Sequence, residues 1–236
     1  MATKRIIPDD DFSKIVIGTR INARNISMRI KKDGLYVTVP PFTKTERIMQ
    51  VIADYRQKLL ASFTKVSPKI ITDGFSIDAP CFKLTVGVGG MKCFSVRREE
   101  EGVMKILCPQ NVDFSSSQTQ KLLNAAIVRA MKKSAEEFLP PLLGFWAEKY
   151  GMSYRKVRIT GAKSRWGSCT SRGTISLSCY LMLLPVHLMD YVILHELAHT
   201  KEMNHGPEFW KLLDSMTEGN SHQLRAQLRK FKTDFL

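Results

Sequence analysis

The stretch Asp190-Tyr191-Val192-Ile193-Leu194-His195-Glu196-Leu197-Ala198-His199 carries the strongest signal in the sequence. Its apolar residues are best explained as the core packing of a helix that Pro185 introduces. Residues four apart in an α-helix lie about 40° from each other around the axis, so His195 and His199 project from one face. Two imidazoles at this spacing can bind one zinc ion. Glu196 is rotated away from direct ligation but can reach a metal-bound water, which is the position of a general base.

A third ligand is expected from the chain that follows this helix. His205 lies ten residues beyond His195, and in a continuing helix it would stand about 9 Å too far along the axis to share the metal. The helix must therefore end first, and Asn204 and the Gly206-Pro207 pair are typical of such a turn. Glu208 is the alternative third ligand, because zinc also accepts carboxylates. Otherwise Glu208 would orient a ligand or open the next helix.

The composition is that of a globular protein. The chain has 236 residues, of which 44% are apolar and 25% charged, so it can bury a sizeable core and does not resemble a disordered sequence. The five cysteines form no CxxC pair, which argues against a disulfide scaffold or a zinc ribbon. No apolar run reaches the roughly 18 residues of a membrane span, and the N-terminus lacks the apolar segment of a signal peptide. We therefore expect a cytoplasmic protein that does not enter a membrane.

The charge is strongly positive and unevenly distributed. There are 36 basic and 22 acidic residues, a net charge of +14. Residues 141–186 carry 7 basic and 1 acidic side chains, giving +6, whereas residues 187–236 carry 6 and 7, giving −1. Such a basic surface either attracts a polyanionic or nucleotide ligand or simply keeps the protein soluble.

Residues 1–112 are predicted to form a β-rich N-terminal region with one helix. Alternating apolar residues flank Asp33-Gly34, a pattern typical of a β-hairpin. Helical periodicity follows over about 45–60. Short strand-like segments between 67 and 108 suggest an antiparallel meander. The sequence shows no evident internal repeat.

Residues 113–236 are predicted to form a second domain, which makes the protein an α+β fold. A long helical pattern follows Ser115-Ser116-Ser117, and Pro140-Pro141 should end it before a second helix over about 142–150. Two strands are expected at Lys156–Ile159 and Thr174–Ser178, and further helices follow Pro185.

Four segments together are similar to one known family. They are Ser164-Arg165-Trp166-Gly167-Ser168-Cys169, Gly173-Thr174-Ile175-Ser176-Leu177, the stretch 190–199, and Asn204-His205-Gly206-Pro207-Glu208-Phe209-Trp210. With the opening strands at 24–40, they resemble the YgjP-like metallopeptidases, zincin-type enzymes distantly similar to SprT-like proteases. The resemblance spans nearly the whole chain. It implies a β-rich N-terminal part and a C-terminal zincin-like α/β metallopeptidase domain with the HExxH motif on a core helix.

The resemblance also implies an active site with one zinc ion. His195, His199 and His205 would hold the zinc, and Glu196 would be the catalytic base. Zinc with three protein ligands keeps a position for water and lowers the pKa of that water. Glu196 would take the proton as the water attacks a peptide carbonyl, and would return it to the leaving amine.

Residues that contact the substrate are less sharply defined. The stretch 173–178 would suit an exposed edge strand that pairs with an extended peptide, or else an interior strand. The oxyanion donor is open among Arg165, Tyr180 and His222. Trp166 and Cys169 would line the cleft or, the favoured alternative, pack in the core. The substrate-binding candidates are Arg165, Gly173, Thr174, Ile175 and Tyr180.

Three functions are compatible with these motifs. The first is a peptidase that acts on a peptide or protein substrate. The second is a zinc hydrolase of a nucleotide phosphoanhydride, suggested by the basic stretch 141–186. The third is a zinc-stabilised nucleic-acid-binding module without turnover, which Glu196 disfavours because structural zinc sites normally have four protein ligands. The sequence carries no signal for the oligomeric state.

Overall fold

The computed structural model describes residues 4–31, 33–66, 70–90, 92–100 and 103–231. The chain forms two compact units, residues 1–69 and 70–236. The sequence predicts a boundary near residue 112 instead. The difference arises because the strands between 76 and 108 share one apolar core with the helices that follow them.

The first unit is a four-stranded sheet with one helix. Its elements are β1 (Lys4–Asp9), β2 (Ser13–Thr19), β3 (Ser27–Lys31), β4 (Gly34–Val39) and α1 (Thr45–Val66). The strand order is β1-β2-β4-β3, with β2 and β4 parallel and the outer pairs antiparallel. The core of this unit is built from one face of the sheet and the apolar side of α1, and Phe12, Leu35 and Ile52 are fully buried there.

The hairpin predicted at Asp33-Gly34 is confirmed, since Lys31 pairs with Gly34. Gly34 has a φ of +150°, and a Cβ at this position would lie 2.4 Å from the carbonyl oxygen of Lys14. Only glycine therefore allows β4 to begin beside β2.

The second unit opens with the same topology. Its first elements are β5 (Ser76–Ala79), β6 (Phe82–Val88), β7 (Ser95–Glu100), β8 (Val103–Cys108) and α2 (Ser117–Lys149). The strand order is β5-β6-β8-β7, and β6 and β8 are parallel, so the predicted antiparallel meander is wrong. Strand β6 also repeats the Lys-apolar-X-apolar-Gly pattern of β2, at 83–87 against 14–18. The structure thus contains a repeat that the sequence does not reveal by itself.

Helix α2 is continuous over 33 residues, although Pro140 and Pro141 lie inside it. The predicted break is therefore wrong. Proline in a helix interior costs about 3 kcal/mol or more, but Leu139 and Leu143 on either side are fully buried. Burying such side chains stabilises the structure by about 1.5–3 kcal/mol each, and this packing holds the helix on its axis through both prolines.

The remaining elements build the part of the unit that carries the histidine motif. They are β9 (Lys156–Thr160), β10 (Gly167–Cys169), β11 (Thr174–Ser178), a short 3-10 helix (Cys179–Leu183), α3 (Val186–Ala198), α4 (Pro207–Met216) and α5 (Ser221–Leu228). The three strands lie in the order β10-β11-β9. Helix α3 runs through the apolar core, with residues such as Ile193 and Leu197 fully buried, which confirms the HExxH motif on a core helix. None of the helices in the described ranges is long and apolar enough to cross a membrane.

Candidate active site

Three imidazoles converge at the end of α3. The ring nitrogens that His195, His199 and His205 offer to a metal all lie within 4.8 Å of one another. Nε2 of His195 is 3.1 Å from Nε2 of His205. His199 donates from Nδ1 to the backbone carbonyl oxygen of Glu202 at 3.0 Å, which leaves its Nε2 for a ligand. The structure therefore brings together the three histidines that the spacing predicts.

The chain turns back after α3 as that spacing requires. The helix ends at Ala198, and the amide of Lys201 donates to the Ala198 carbonyl oxygen to close it. Pro207 opens α4 as its first residue, a position that proline favours because its missing N–H would be unpaired there anyway. Trp210 donates from Nε1 to the carbonyl oxygen of His205 at 3.2 Å. This turn places His205 beside His195 instead of farther along the helix axis.

An aromatic ring lies against all three histidines. The ring centroid of Phe209 is 5.0 Å from that of His195, 4.6 Å from that of His199 and 4.7 Å from that of His205. Phe209 is fully buried in the core. Its ring therefore fixes the spacing of the imidazoles from the side of the protein interior. No motif in the sequence indicates this role of Phe209.

The histidines fit a zinc ion. Two nitrogens at about 2.0–2.1 Å from a tetrahedral zinc would lie about 3.3 Å apart, close to the observed 3.1 Å. Burial, followed by the neighbouring charges of His199, His205 and Arg225, lowers the pKa of His195 to about 3. The pKa of His205 is also lowered, chiefly by burial. Both shifts favour the neutral imidazole, which is the form that binds a metal.

Glu196 is a buried carboxylate beside the histidines. Its side chain is 5% exposed, and burial raises its pKa to about 8, against a smaller lowering by the Arg165 charge. Its Oε2 is buried without a hydrogen-bond partner in the described part of the chain. Glu196 lines the same cavity as His195 and His205, so this oxygen is available to a molecule bound there.

Strand β10 passes very close to this carboxylate. A Cβ built on Gly167 would lie 2.6 Å from Oε1 of Glu196 and 2.7 Å from its Cγ. Real side chains do not approach so closely, so the position of Glu196 depends on a missing side chain in β10. This close approach explains why the motif Trp166-Gly167-Ser168-Cys169 has a glycine at its second position.

A cavity of about 330 Å³ opens beside the histidines. One wall comes from α3, another from the start of β10 and a third from α5 and the residues after it. The lining residues are Trp166, Gly167, Tyr191, Val192, His195, Glu196, His205, Arg225, Leu228, Arg229 and Phe231. Trp166 is half-buried and packs against the core as well, so it both lines the cleft and packs in the core.

The structure corrects the predicted substrate strand. Strand β11 lies between β10 and β9, so Thr174 and Ile175 have neighbours on both sides and cannot pair with a peptide. Ile175 is also fully buried. Gly173 lies in the turn before β11 with a φ of +71°. The edge strand next to Glu196 is β10, which the sequence analysis did not predict as a strand.

Two further candidates lie away from the cavity. Tyr180 is fully buried in the 3-10 helix, so it cannot contact a substrate or an oxyanion in this structure. The His222 ring stacks on Trp210 with centroids 4.5 Å apart, and His222 does not line the cavity. Arg165 is exposed and lines a second cavity of about 270 Å³ along β10, where its charge still reaches Glu196.

The cluster of potential metal ligands consists of His195, His199 and His205 and does not include Glu208, the alternative third ligand. Glu208 is exposed on the first turn of α4 and lines a separate depression with Lys201 and Lys211. The geometry therefore favours His205 over Glu208, as the sequence analysis does.

Arg225 and Arg229 also line the cavity, and the sequence analysis missed them. They are four residues apart on α5, a spacing that places two side chains on one helix face. That spacing is readable from the sequence, but it does not tell which part of the protein the face meets.

Comparisons with known proteins agree with the motifs. A family model described as "YgjP-like, metallopeptidase domain" matches residues 24–231. No curated protein gives a significant match. Among solved structures, the metallopeptidase zymogen abylysin of Pyrococcus abyssi is 24% identical, with 39% of this chain and 93% of that chain covered and a TM-score of 0.36. The metallopeptidase zymogen jannalysin of Methanocaldococcus jannaschii is 22% identical, with the same coverage and a TM-score of 0.35.

Proposed function

Because the chain belongs to the YgjP-like metallopeptidase family, we propose that it is a zinc-dependent peptidase with Glu196 as its general base. His195, His199 and His205 would hold one zinc ion. The observation that carries the proposal is the convergence of three imidazoles, two of which line one cavity together with the buried carboxylate of Glu196. When bound, zinc would act as a Lewis acid that polarises a carbonyl group and increases the acidity of water.

Glu196 is placed to move a proton in this reaction. Its unpartnered Oε2 can accept a proton from an attacking water and then donate it to the leaving amine. The buried setting supports this role, because a carboxylate shielded from bulk solvent exchanges its proton with the bound substrate and not with the surroundings. The absence of a side chain at Gly167 leaves the space that this carboxylate occupies, since a Cβ there would lie 2.6 Å from Oε1.

Strand β10 is our candidate for binding the substrate backbone. It pairs with β11 on one side, and Gly167 at its start lines the cavity beside Glu196. An extended peptide could add to the other side of β10 through backbone hydrogen bonds. Arg165, which precedes β10, remains a candidate for contact with the substrate.

The basic stretch 141–186, which suggested a nucleotide phosphoanhydride as substrate, lies largely outside the cavity. Arg155, Arg158 and Arg172 line a separate depression of about 550 Å³ along β9. None of the three lines the cavity beside the histidines. The charge of the stretch 141–186 is therefore directed largely away from the proposed catalytic group.

The test compares wild-type protein with two glutamate variants after zinc loading. A peptide library, analysed by mass spectrometry, is incubated with wild type, Glu196→Gln and the control Glu202→Gln, in which an exposed carboxylate is altered. We expect cleavage by wild type and by the control, and a rate at least about 100-fold lower for Glu196→Gln. A parallel panel of nucleoside triphosphates is assayed for phosphate release. Phosphate release without peptide cleavage, or cleavage that survives Glu196→Gln, would overturn the proposal.

A further inference from the structure

Helix α5 brings two arginines to the cavity beside the histidines. Arg225 lies within the helix and Arg229 is its C-terminal cap, one turn later. Both side chains line the cavity and both are exposed to solvent. Neither forms an ion pair with an acidic group of the described residues. Two guanidinium groups without an acidic partner in the described ranges therefore border this cavity.

Among the described residues that line the cavity, one is acidic. Glu196, the one acidic residue among the lining residues, is buried next to the histidines. Much of the remaining wall is apolar, with Val192, Leu228 and Phe231 among its residues. An apolar wall on one side of the cavity reduces the screening by water of an anion bound between that wall and the arginines.

Arg225 is also held in a defined place. Its guanidinium carbon lies 5.1 Å from the ring centroid of Trp210, and Trp210 donates a hydrogen bond to the His205 backbone. The orientation of Arg225 is thus tied to the loop that carries the third histidine. In addition, the hydroxyl of Tyr191 is buried at the cavity wall without a hydrogen-bond partner in the described ranges, so it offers a further donor.

The structure assigns Arg225 and Arg229 to the recognition of a carboxylate on the substrate, close to the bond that is cleaved. The carboxylate belongs either to an acidic side chain or to a free C-terminus. This inference rests on the proposed peptidase function. Guanidinium groups suit it because their planar N–H pairs match the two oxygens of a carboxylate. The substrates are accordingly peptides with an acidic group at a fixed distance from the scissile bond.

A binding experiment tests the inference without turnover. Zinc-loaded Glu196→Gln protein is titrated by calorimetry with alanine-based octapeptides. One series carries Glu or Gln at each position in turn, and a second series carries a free or an amidated C-terminus. We expect one carboxylate to strengthen binding about tenfold over its neutral partner. The series that shows the difference identifies the source of the carboxylate.

Arginine variants then locate the effect. In the same background, the double change Arg225→Gln and Arg229→Gln should abolish the preference for the carboxylate. The single change Arg225→Lys should reduce it only partly, since the charge remains but the paired donors are lost. The matched control Arg158→Gln removes an exposed arginine from β9, outside the cavity, and should keep the full preference. Unfolding curves and zinc content establish that each variant is folded and loaded.

The two proposals fail in distinguishable ways. If Glu196→Gln binds carboxylate peptides preferentially but wild type cleaves none of them, the peptidase function is wrong and the carboxylate site stands. If wild type cleaves neutral and acidic peptides with equal kcat/KM and binding shows no preference, the carboxylate site is wrong and the peptidase function stands. A preference that persists in the double variant would also overturn the assignment to these arginines.

Discussion

Replacing Gly167 by alanine tests whether β10 sets the position of Glu196. The added Cβ would lie 2.6 Å from Oε1, 2.7 Å from Cγ and 2.9 Å from Cδ of Glu196, whereas ordinary contacts begin at 3.4 Å. The carboxylate would therefore have to retreat by about 0.8 Å, the difference between 3.4 and 2.6 Å. Helix α3 is buried in the core and cannot easily move to make room. A misplacement of about 1 Å costs on the order of 100-fold in rate, and overpacking costs about 1–3 kcal/mol of stability.

The assay combines kinetics with a double-mutant cycle. The kcat/KM of Gly167→Ala is measured on the best peptide from the library, and its free energy of unfolding is measured in urea. The same substitution is then made in Glu196→Ala, where the carboxylate that clashes has been removed. We expect the destabilisation to shrink by about 1 kcal/mol or more in that background, because the two positions are in contact.

The control is Gly161→Ala, in the same unit, where a Cβ would make an ordinary contact of 3.7 Å with Cγ1 of Val128. This control should leave kcat/KM within about twofold of wild type, because the added methyl group displaces no neighbour. Its effect on stability should also be small, since surface substitutions usually change stability by no more than about 0.5 kcal/mol. Wild-type activity in Gly167→Ala would refute the reasoning. A destabilisation that is the same with and without the Glu196 side chain would refute it as well.

Three other predictions follow from the site and its support. Zinc at about 100 times its dissociation constant should raise the free energy of unfolding by about 2.7 kcal/mol. Urea titrations should show this increase for wild type and for Glu208→Ala but not for His205→Ala. The reverse pattern would make Glu208 the ligand. Phe209→Leu should weaken zinc binding by about tenfold or more in a chelator competition, because the ring that spaces the imidazoles is lost; unchanged affinity would show that the ring only fills space. Burial raises the pKa of Asp190, against a smaller lowering by the hydrogen bond from Nε1 of Trp146. Ionisation of Asp190 therefore destabilises the folded state. The stability that the protonated Asp190 contributes is fully present below its unfolded-state pKa and is lost as the pH rises through the raised folded-state pKa. Asp190→Asn, which keeps an acceptor for Trp146, should therefore unfold at higher urea than wild type at pH 7, with a difference that shrinks toward about pH 4; a pH-independent difference would contradict the assignment to ionisation.

The histidine cluster could be predicted because it depends on local geometry. The helical period places His195 and His199 on one face, and the residues Asn204 to Pro207 favour a turn that a third ligand needs. These signals lie within a stretch of thirteen residues, from His195 to Pro207, so no knowledge of distant contacts is required. The roles of these residues as ligands, and of Glu196 as base, stay predictions that the zinc and peptide experiments test.

The features that escaped prediction depend on contacts between distant segments. Strand β10 has only three residues and is defined by its pairing with β11, so it carries no alternation of its own. Strand order was misjudged for the same reason, since β6 pairs directly with β8 although β7 lies between them in the sequence. The continuity of α2 through Pro140 and Pro141 reflects tertiary packing that outweighs a local penalty. The cytoplasmic location remains a prediction from the sequence.

The strand order that occurs twice bears on how the two halves of the molecule can change over time. Each copy is a sheet of two hairpins followed by a helix, so one architectural scheme occurs twice in the chain. The second copy packs its apolar face into the core that also contains α3. Changes in its core residues are therefore limited by the side chains of that helix. The core residues of the first copy contact a different set of neighbours, so they vary under separate constraints.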